Sequence, residues 1–147
     1  MELILWRHAE AEDGSPDSAR KLTAKGRRQA ERVAKWLAKH LPKKYRVLAS
    51  PARRAQETAA ILTRHFETHE ALDVGTTAQA ILDAAGWPNG DERPTVAVGH
   101  QPSLGEAAML ALSGKTTPLN LKKGALVWLE SREGEIVLRA AIAPDLL

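Results

Sequence analysis

Cysteine is absent from the 147 residues, which excludes disulfides, thiolate metal sites and a thiol nucleophile. Long apolar runs are absent as well. No stretch approaches the roughly 20 apolar residues that a membrane-spanning helix requires. The opening Met1-Glu2-Leu3-Ile4-Leu5-Trp6 meets charge at Arg7, too soon for a signal peptide. A cytoplasmic protein with no membrane partner is therefore expected. No repeat, low-complexity tract or linker interrupts the chain, so residues 1–147 are expected to fold as a single domain, burying roughly two-thirds of the unfolded surface. There is no Gly-rich phosphate loop, no Gly-x-Ser-x-Gly elbow and no His-Glu-x-x-His or paired-Asp motif.

A dense basic tract is also lacking. The net charge is +3 and the isoelectric point about 9.4, yet basic and acidic residues interleave. Lys39, Lys43, Lys44 and Arg46 come nearest to a patch, with one tyrosine, Tyr45, among them. This reads as solvated surface rather than a nucleic-acid groove, although a mildly basic surface would attract a phosphorylated substrate.

What is present is an alternation of strands and helices. Glu2 to Trp6 reads as a buried strand running into Arg7-His8, and Glu10 to Arg20 as a polar loop. Thr23 is placed to cap a helix whose Ala30, Val33, Ala34, Leu37 and Leu41 share one face, ended by Pro42. Arg46 to Ala49 reads as a second strand, with a helix beginning at Ser50-Pro51. Thr77 to Ala85 reads as a third helix closed by Gly86. Thr95 to Val98 is the next strand, leading into Gly99-His100, and a fourth helix runs from Pro102 to Leu112. Ala125 to Leu129 and Ile136 to Ala141, with a turn at Glu133-Gly134, suggest a terminal hairpin or edge pair. This order predicts a three-layer α/β fold with a mainly parallel central sheet flanked by helices.

Ligands of open α/β sheets bind beyond the carboxyl ends of the strands. Those ends carry Arg7 and His8, then Ser50 to Arg54, then His100. Arginines supply planar, permanently charged donors that match phosphate oxygens. A neutral imidazole is a competent nucleophile toward phosphorus, and a second one can donate to oxygens that gain charge. His40, His65 and His69 sit among polar residues and read as surface. A metal site built on His8 and Glu10 is disfavoured, because arginine beside a cation is unfavourable. No cofactor is implied, since arginines can neutralise the phosphoryl charge.

Four ordered motifs carry a family resemblance. Arg7-His8-Ala9-Glu10-Ala11 resembles the Arg-His-Gly signature of the histidine phosphatase superfamily, also called phosphoglycerate mutase-like. Asp17, Arg20, Leu22, Thr23 and Gly26 are similar to its Asp-x-x-Arg-x-Leu-Thr-x-x-Gly approach to the first helix. Ser50-Pro51-Ala52-Arg53-Arg54-Ala55-Gln56-Glu57-Thr58 resembles Ser-Pro-x-x-Arg-Ala-x-x-Thr, which selects Arg54 over Arg53. Val98-Gly99-His100-Gln101-Pro102 resembles the second histidine motif. The short chain resembles the phosphohistidine phosphatase branch, the SixA type.

The resemblance implies a metal-independent phosphatase with His8 as nucleophile, while Arg7, Arg54 and His100 hold the phosphoryl oxygens. It also implies a phosphorylated protein, such as a phosphohistidine domain, or a small phosphorylated molecule as partner. Ala9 stands where most members have glycine, a small-for-small change expected to be tolerated. Ester-cleaving members commonly carry a carboxylic acid before the second histidine motif. Neither Glu70 nor Asp73 falls in a clear acid motif, which favours cleavage of a P–N bond. The alternatives are a phosphomonoesterase using Glu10, Glu70 or Asp73 as acid, and a non-catalytic phosphate-binding module.

Overall fold

Leu3, Ile4, Leu5 and Trp6 form the uninterrupted apolar run of a strand covered on both faces. The computed structural model, which describes residues 1–147, buries all four completely. They lie in β1 (Glu2–Arg7), followed by α1 (Ala24–His40), β2 (Arg46–Ala49), α2 (Arg53–Leu62), β3 (Glu67–Thr68) and α3 (Ala78–Ala85). Then come β4 (Thr95–Gly99), α4 (Ser103–Ser113), β5 (Leu126–Arg132) and β6 (Glu135–Ile142).

The strands make one mixed sheet in the order β3-β2-β4-β1-β5-β6. Parallel pairing joins β3 to β2, β2 to β4 and β4 to β1, while β5 and β6 join antiparallel. Side chains alternate between two cores, as the strand period of two requires. Ile4, Trp6, Val47, Val96 and Val98 face Val33 and Leu37 of α1 and Ala55 and Ala59 of α2. Leu3, Leu5, Leu48 and Ala97 face Ile81 and Leu82 of α3 and Leu104 and Ala108 of α4. The three-layer α/β expectation holds. No helix is long and apolar enough to cross a membrane.

Local signals explain most boundaries. The Thr23 hydroxyl accepts the Gly26 N–H at 2.9 Å, and Gly86 closes α3 at φ 78°. Glu133 and Gly134 take φ 51° and 81° between β5 and β6, the mirror-image turn that matches strand twist. Three features differ from the sequence reading. α2 starts at Arg53 rather than Ser50-Pro51, because the Ser50 hydroxyl takes the Ala52 N–H at 3.1 Å and holds a turn ahead of the helix. β3 was not expected: it has two exposed residues, too few to show an alternation. The polar segments around Asp17–Ala19 and Glu70–Leu72 each contain a 3₁₀ turn.

Gly26 lets α1 pack against the loop after β1. A Cβ there would collide with the Glu10 carbonyl, which already accepts the Thr23 N–H at 3.0 Å. Gly26→Ala is expected to cost about 1–3 kcal/mol, read as a lower urea midpoint at unchanged slope.

Candidate active site

β4 lies between β1 and β2, with Arg7 in register with Gly99 and Ala49 in register with Val98. The residues that follow these three strand ends therefore gather at one edge. The backbone around His8 is held from several sides. Its N–H donates to the Gly99 carbonyl at 3.1 Å, and its carbonyl accepts the Gly124 N–H at 3.1 Å. The Ala9 N–H donates to the Thr58 hydroxyl at 3.1 Å, which in turn donates to the Arg54 carbonyl at 2.8 Å. Ala9 itself is fully buried and its φ is not positive, so a methyl fits there without strain.

His8, Arg54 and His100 are each buried, at 7%, 4% and 4% exposure. The Nδ1–H of His8 donates to the Ala9 carbonyl at 2.7 Å, which leaves Nε2 with its lone pair. Arg54 Nε lies 3.3 Å from that Nε2, and Arg54 Nη2 lies 3.4 Å from His100 Nδ1. The two imidazole rings are 5.1 Å apart between centroids. On its far side, His100 Nε2 lies 2.7 Å from the Ser50 hydroxyl. Arg54 also donates from Nη1 to the Asp17 carbonyl at 2.8 Å and from Nη2 to the Asp17 carboxylate at 3.0 Å. Arg7 donates from Nη1 to the Leu121 carbonyl at 2.6 Å, while its buried Nε has no partner.

Electrostatics keep both imidazoles neutral. Burial strips water from a charged ring and, with the positive fields of His100, Arg54 and Arg7, pushes His8 down to about 3 against the pull of the Ala9 carbonyl. Burial and then Arg54 push His100 down to about 4, opposed by Asp73 and Asp17. Asp17 is held below its ordinary value chiefly by its hydrogen bond from Arg54. Burial lowers Arg7.

Comparison with known proteins follows the same residues. An uncharacterized protein of Picosynechococcus sp. is 34% identical over 146 residues, covering 92% of this chain and 88% of that one. A model of the histidine phosphatase superfamily (branch 1) matches residues 3–75. The chain belongs to that superfamily. The match takes in His8 and Arg54 and ends before His100, so the fold is what brings the second histidine to them. Histidine phosphatase SixA in complex with tungstate superposes with a TM-score of 0.85 at 22% identity, covering 99% of each chain. A mutant phosphoserine phosphatase of Entamoeba histolytica, bound to phosphoserine, superposes at 0.74 with 19% identity, covering 99% of this chain and 98% of that one. At these identities the likeness shows a shared fold.

Within this superfamily member, Arg53 stays outside the cluster. It is half-exposed and lies 3.4 Å from Glu57. His40 stacks on Trp36 at the surface. His69, expected at the surface, is half-buried, because its Nδ1 accepts the Ala71 N–H at 3.1 Å and caps a 3₁₀ turn. His65 and His69 have the four-residue spacing of a helical metal pair, but β3 runs between them and a strand rises about 3.3 Å per residue. No three His, Asp or Glu side chains converge where they could hold a metal ion. Of the expected acids, Glu10 accepts the Thr23 hydroxyl at 2.8 Å, Asp73 accepts the Val74 N–H at 2.7 Å, and Glu70 is exposed. Sequence reasoning placed Thr58 on the inner face of its helix and Ser50 at a helix start, and gave Asp17 no role beyond membership of a motif. Their partners lie 37 to 50 residues away, and only the fold reveals them.

A pH dependence of stability follows. The unfolded histidines titrate near 6.5, above the folded values, so the unfolded state binds more protons as pH falls below about 6.5. Stability contributed by the neutral rings is complete above that pH and lost on going down toward 4 and 3. The loss is at most about 1.4 kcal/mol per pH unit per ring. Urea unfolding at pH 7, 5.5 and 4.5 is expected to show the decline, and the paired His8→Asn and His100→Asn substitutions to flatten it.

Proposed function

We propose that the protein is a cytoplasmic, metal-independent phosphohistidine phosphatase, with residues 1–147 acting as one domain and His8 carrying the phosphoryl group between two transfers. The observation that carries this reading is the His8 ring, fixed through Nδ1 with an unprotonated Nε2 that Arg54 Nε–H meets at 3.3 Å, close to a second imidazole. Nε2 attacks phosphorus in line, the P–N bond of the substrate breaks, and the substrate imidazole departs with the bonding electrons. Water then attacks phosphorus on His8, releasing inorganic phosphate and restoring the neutral ring. Burial helps because Nε2 stays unprotonated at every ordinary pH.

Charge that develops on the phosphoryl oxygens is met by Arg54, His100 and Arg7. The partnerless buried Nε of Arg7 is a donor whose desolvation an anion would repay. The Ser50 hydroxyl oxygen accepts the Ala52 N–H at 3.1 Å and, with its second lone pair, the Nε2–H of His100 at 2.7 Å, which fixes that ring. Arg54 can only donate, so Nδ1 of His100 accepts from it and the ring proton lies on Nε2; a bound phosphoryl anion would favour a second proton on Nδ1. The cation charge comes from arginine, so the reaction as written requires no cofactor.

The carboxylates support a P–N bond as substrate. An imidazole protonated on its other nitrogen leaves as a neutral molecule, whereas an alkoxide needs a proton. Asp17, the carboxylate nearest to Arg54, is held ionised and is a poor donor. A second reading, a phosphomonoesterase for a small molecule, draws on one observation: Asp73 lies close enough to raise His100.

Rapid acid-free quenching of wild type with a phosphohistidine protein is expected to trap a base-stable, acid-labile phosphoenzyme. His8→Ala is expected to form none and to lose at least about a thousand-fold in turnover. EDTA is expected to leave the wild-type rate unchanged. Efficient hydrolysis of an alkyl phosphate, abolished by Asp73→Asn and unaccompanied by phosphohistidine cleavage, would favour the esterase reading. Ser50→Ala is expected to lower kcat roughly ten-fold, less than the hundred-fold or more that follows loss of a direct oxyanion donor.

A further inference from the structure

Glu10, in the loop after β1, helps to line a cleft of about 690 Å³ between α1 and the segment before β5. Lys25, Arg28 and Arg32 of α1 line one wall, and Lys122 and Lys123 the other. The only acids there are Glu10, tied to the Thr23 hydroxyl, and Asp145, 3.4 Å from Lys122. The cleft therefore carries an excess of three positive charges, the net charge of the whole chain. Elsewhere acids and bases balance. Lys25, Arg28, Arg32 and Lys123 form no ion pair and are exposed.

This arrangement opposes the stability of its own helix. Arg28 and Arg32 are like charges four apart, and the first turn of α1 contains no acidic residue although the helix dipole favours one. The cleft also borders the segment that braces the phosphate site. Lys122 and Lys123 lie between Leu121, whose carbonyl holds Arg7, and Gly124, whose N–H holds the His8 carbonyl. Pro144 is its only apolar lining residue, and no aromatic lines it. Small-molecule sites are predominantly apolar, base-stacking grooves carry aromatics, and interfacial membrane binding needs an apolar face. Charge complementarity alone remains.

We propose that this cleft docks an acidic segment of the phosphorylated protein, a run of Asp or Glu close to the phosphohistidine. The proposal rests on the phosphohistidine reading for its substrate but not for its binding. Lys25, Arg28 and Arg32 act on encounter and orientation, not on the phosphoryl transfer.

The probes are two synthetic peptides of about a dozen residues, one with a histidine flanked by glutamates and one with glutamines in their place. Each is used unphosphorylated for anisotropy and phosphorylated for kinetics. Wild type is expected to bind the glutamate peptide roughly ten-fold more tightly at low salt, the preference fading with added salt. Lys25→Glu with Arg28→Glu and Arg32→Glu is expected to abolish that preference. The kcat/KM values should follow the same pattern, while hydrolysis of p-nitrophenyl phosphate stays unchanged in the charge-reversed protein, which also shows that it folds. Equal binding of both peptides, or binding to anionic-lipid vesicles in place of the glutamate peptide, overturns the docking proposal. Selective binding without cleavage of either phosphopeptide leaves docking supported and counts against the phosphohistidine reading instead.

Discussion

A permanently charged guanidinium sits almost out of water at Arg54, and the geometry around it answers that charge. Two imidazoles lie beside it and are held neutral, first by their own burial and then by the neighbouring cations. One carboxylate, Asp17, reaches in from a polar loop to balance it. The Arg54 backbone carbonyl receives the Thr58 hydroxyl, which in turn fixes the amide after His8. The same residue thus sets the electrostatics of the site and the position of its neighbour.

Topology makes this concentration possible. β4 separates β1 from β2, so the chain crosses the sheet twice to bring three strand ends to one edge. Hydrogen bonds to the Gly99 carbonyl and from the Gly124 N–H then clamp His8 on either side. Two apolar cores, one on each face, supply the rigid base on which these few polar contacts rely.

Much of this was readable from residues alone. The unbroken apolar run of β1, the Thr23 cap and the Gly86 stop are local signals, and each appeared where expected. The convergence of His8, Arg54 and His100 followed from placing three motifs at strand ends. The remainder is non-local. Two exposed residues carry no strand pattern, so β3 was invisible. The spacing between Asp17 and Arg54, or between Ser50 and His100, encodes no contact until the sheet order is known. The basic cleft was hidden for the same reason. Lys25 and Lys122 lie far apart in sequence, and the densest basic stretch, Lys39 to Arg46, drew the eye elsewhere.

Asp17 has one further consequence. Its side chain is 58% exposed, yet its carboxylate occupies the guanidinium that a phosphoryl group would use. Binding there is an exchange of anions, one leaving as the other arrives, and its free energy is the difference between two ion pairs. On the proposed phosphatase reading, free phosphate would meet a competitor on a tether, present at high effective concentration however dilute the solution. The loop from Ala11 to Arg20 would then work against retention of product, emptying the site by replacement rather than by waiting.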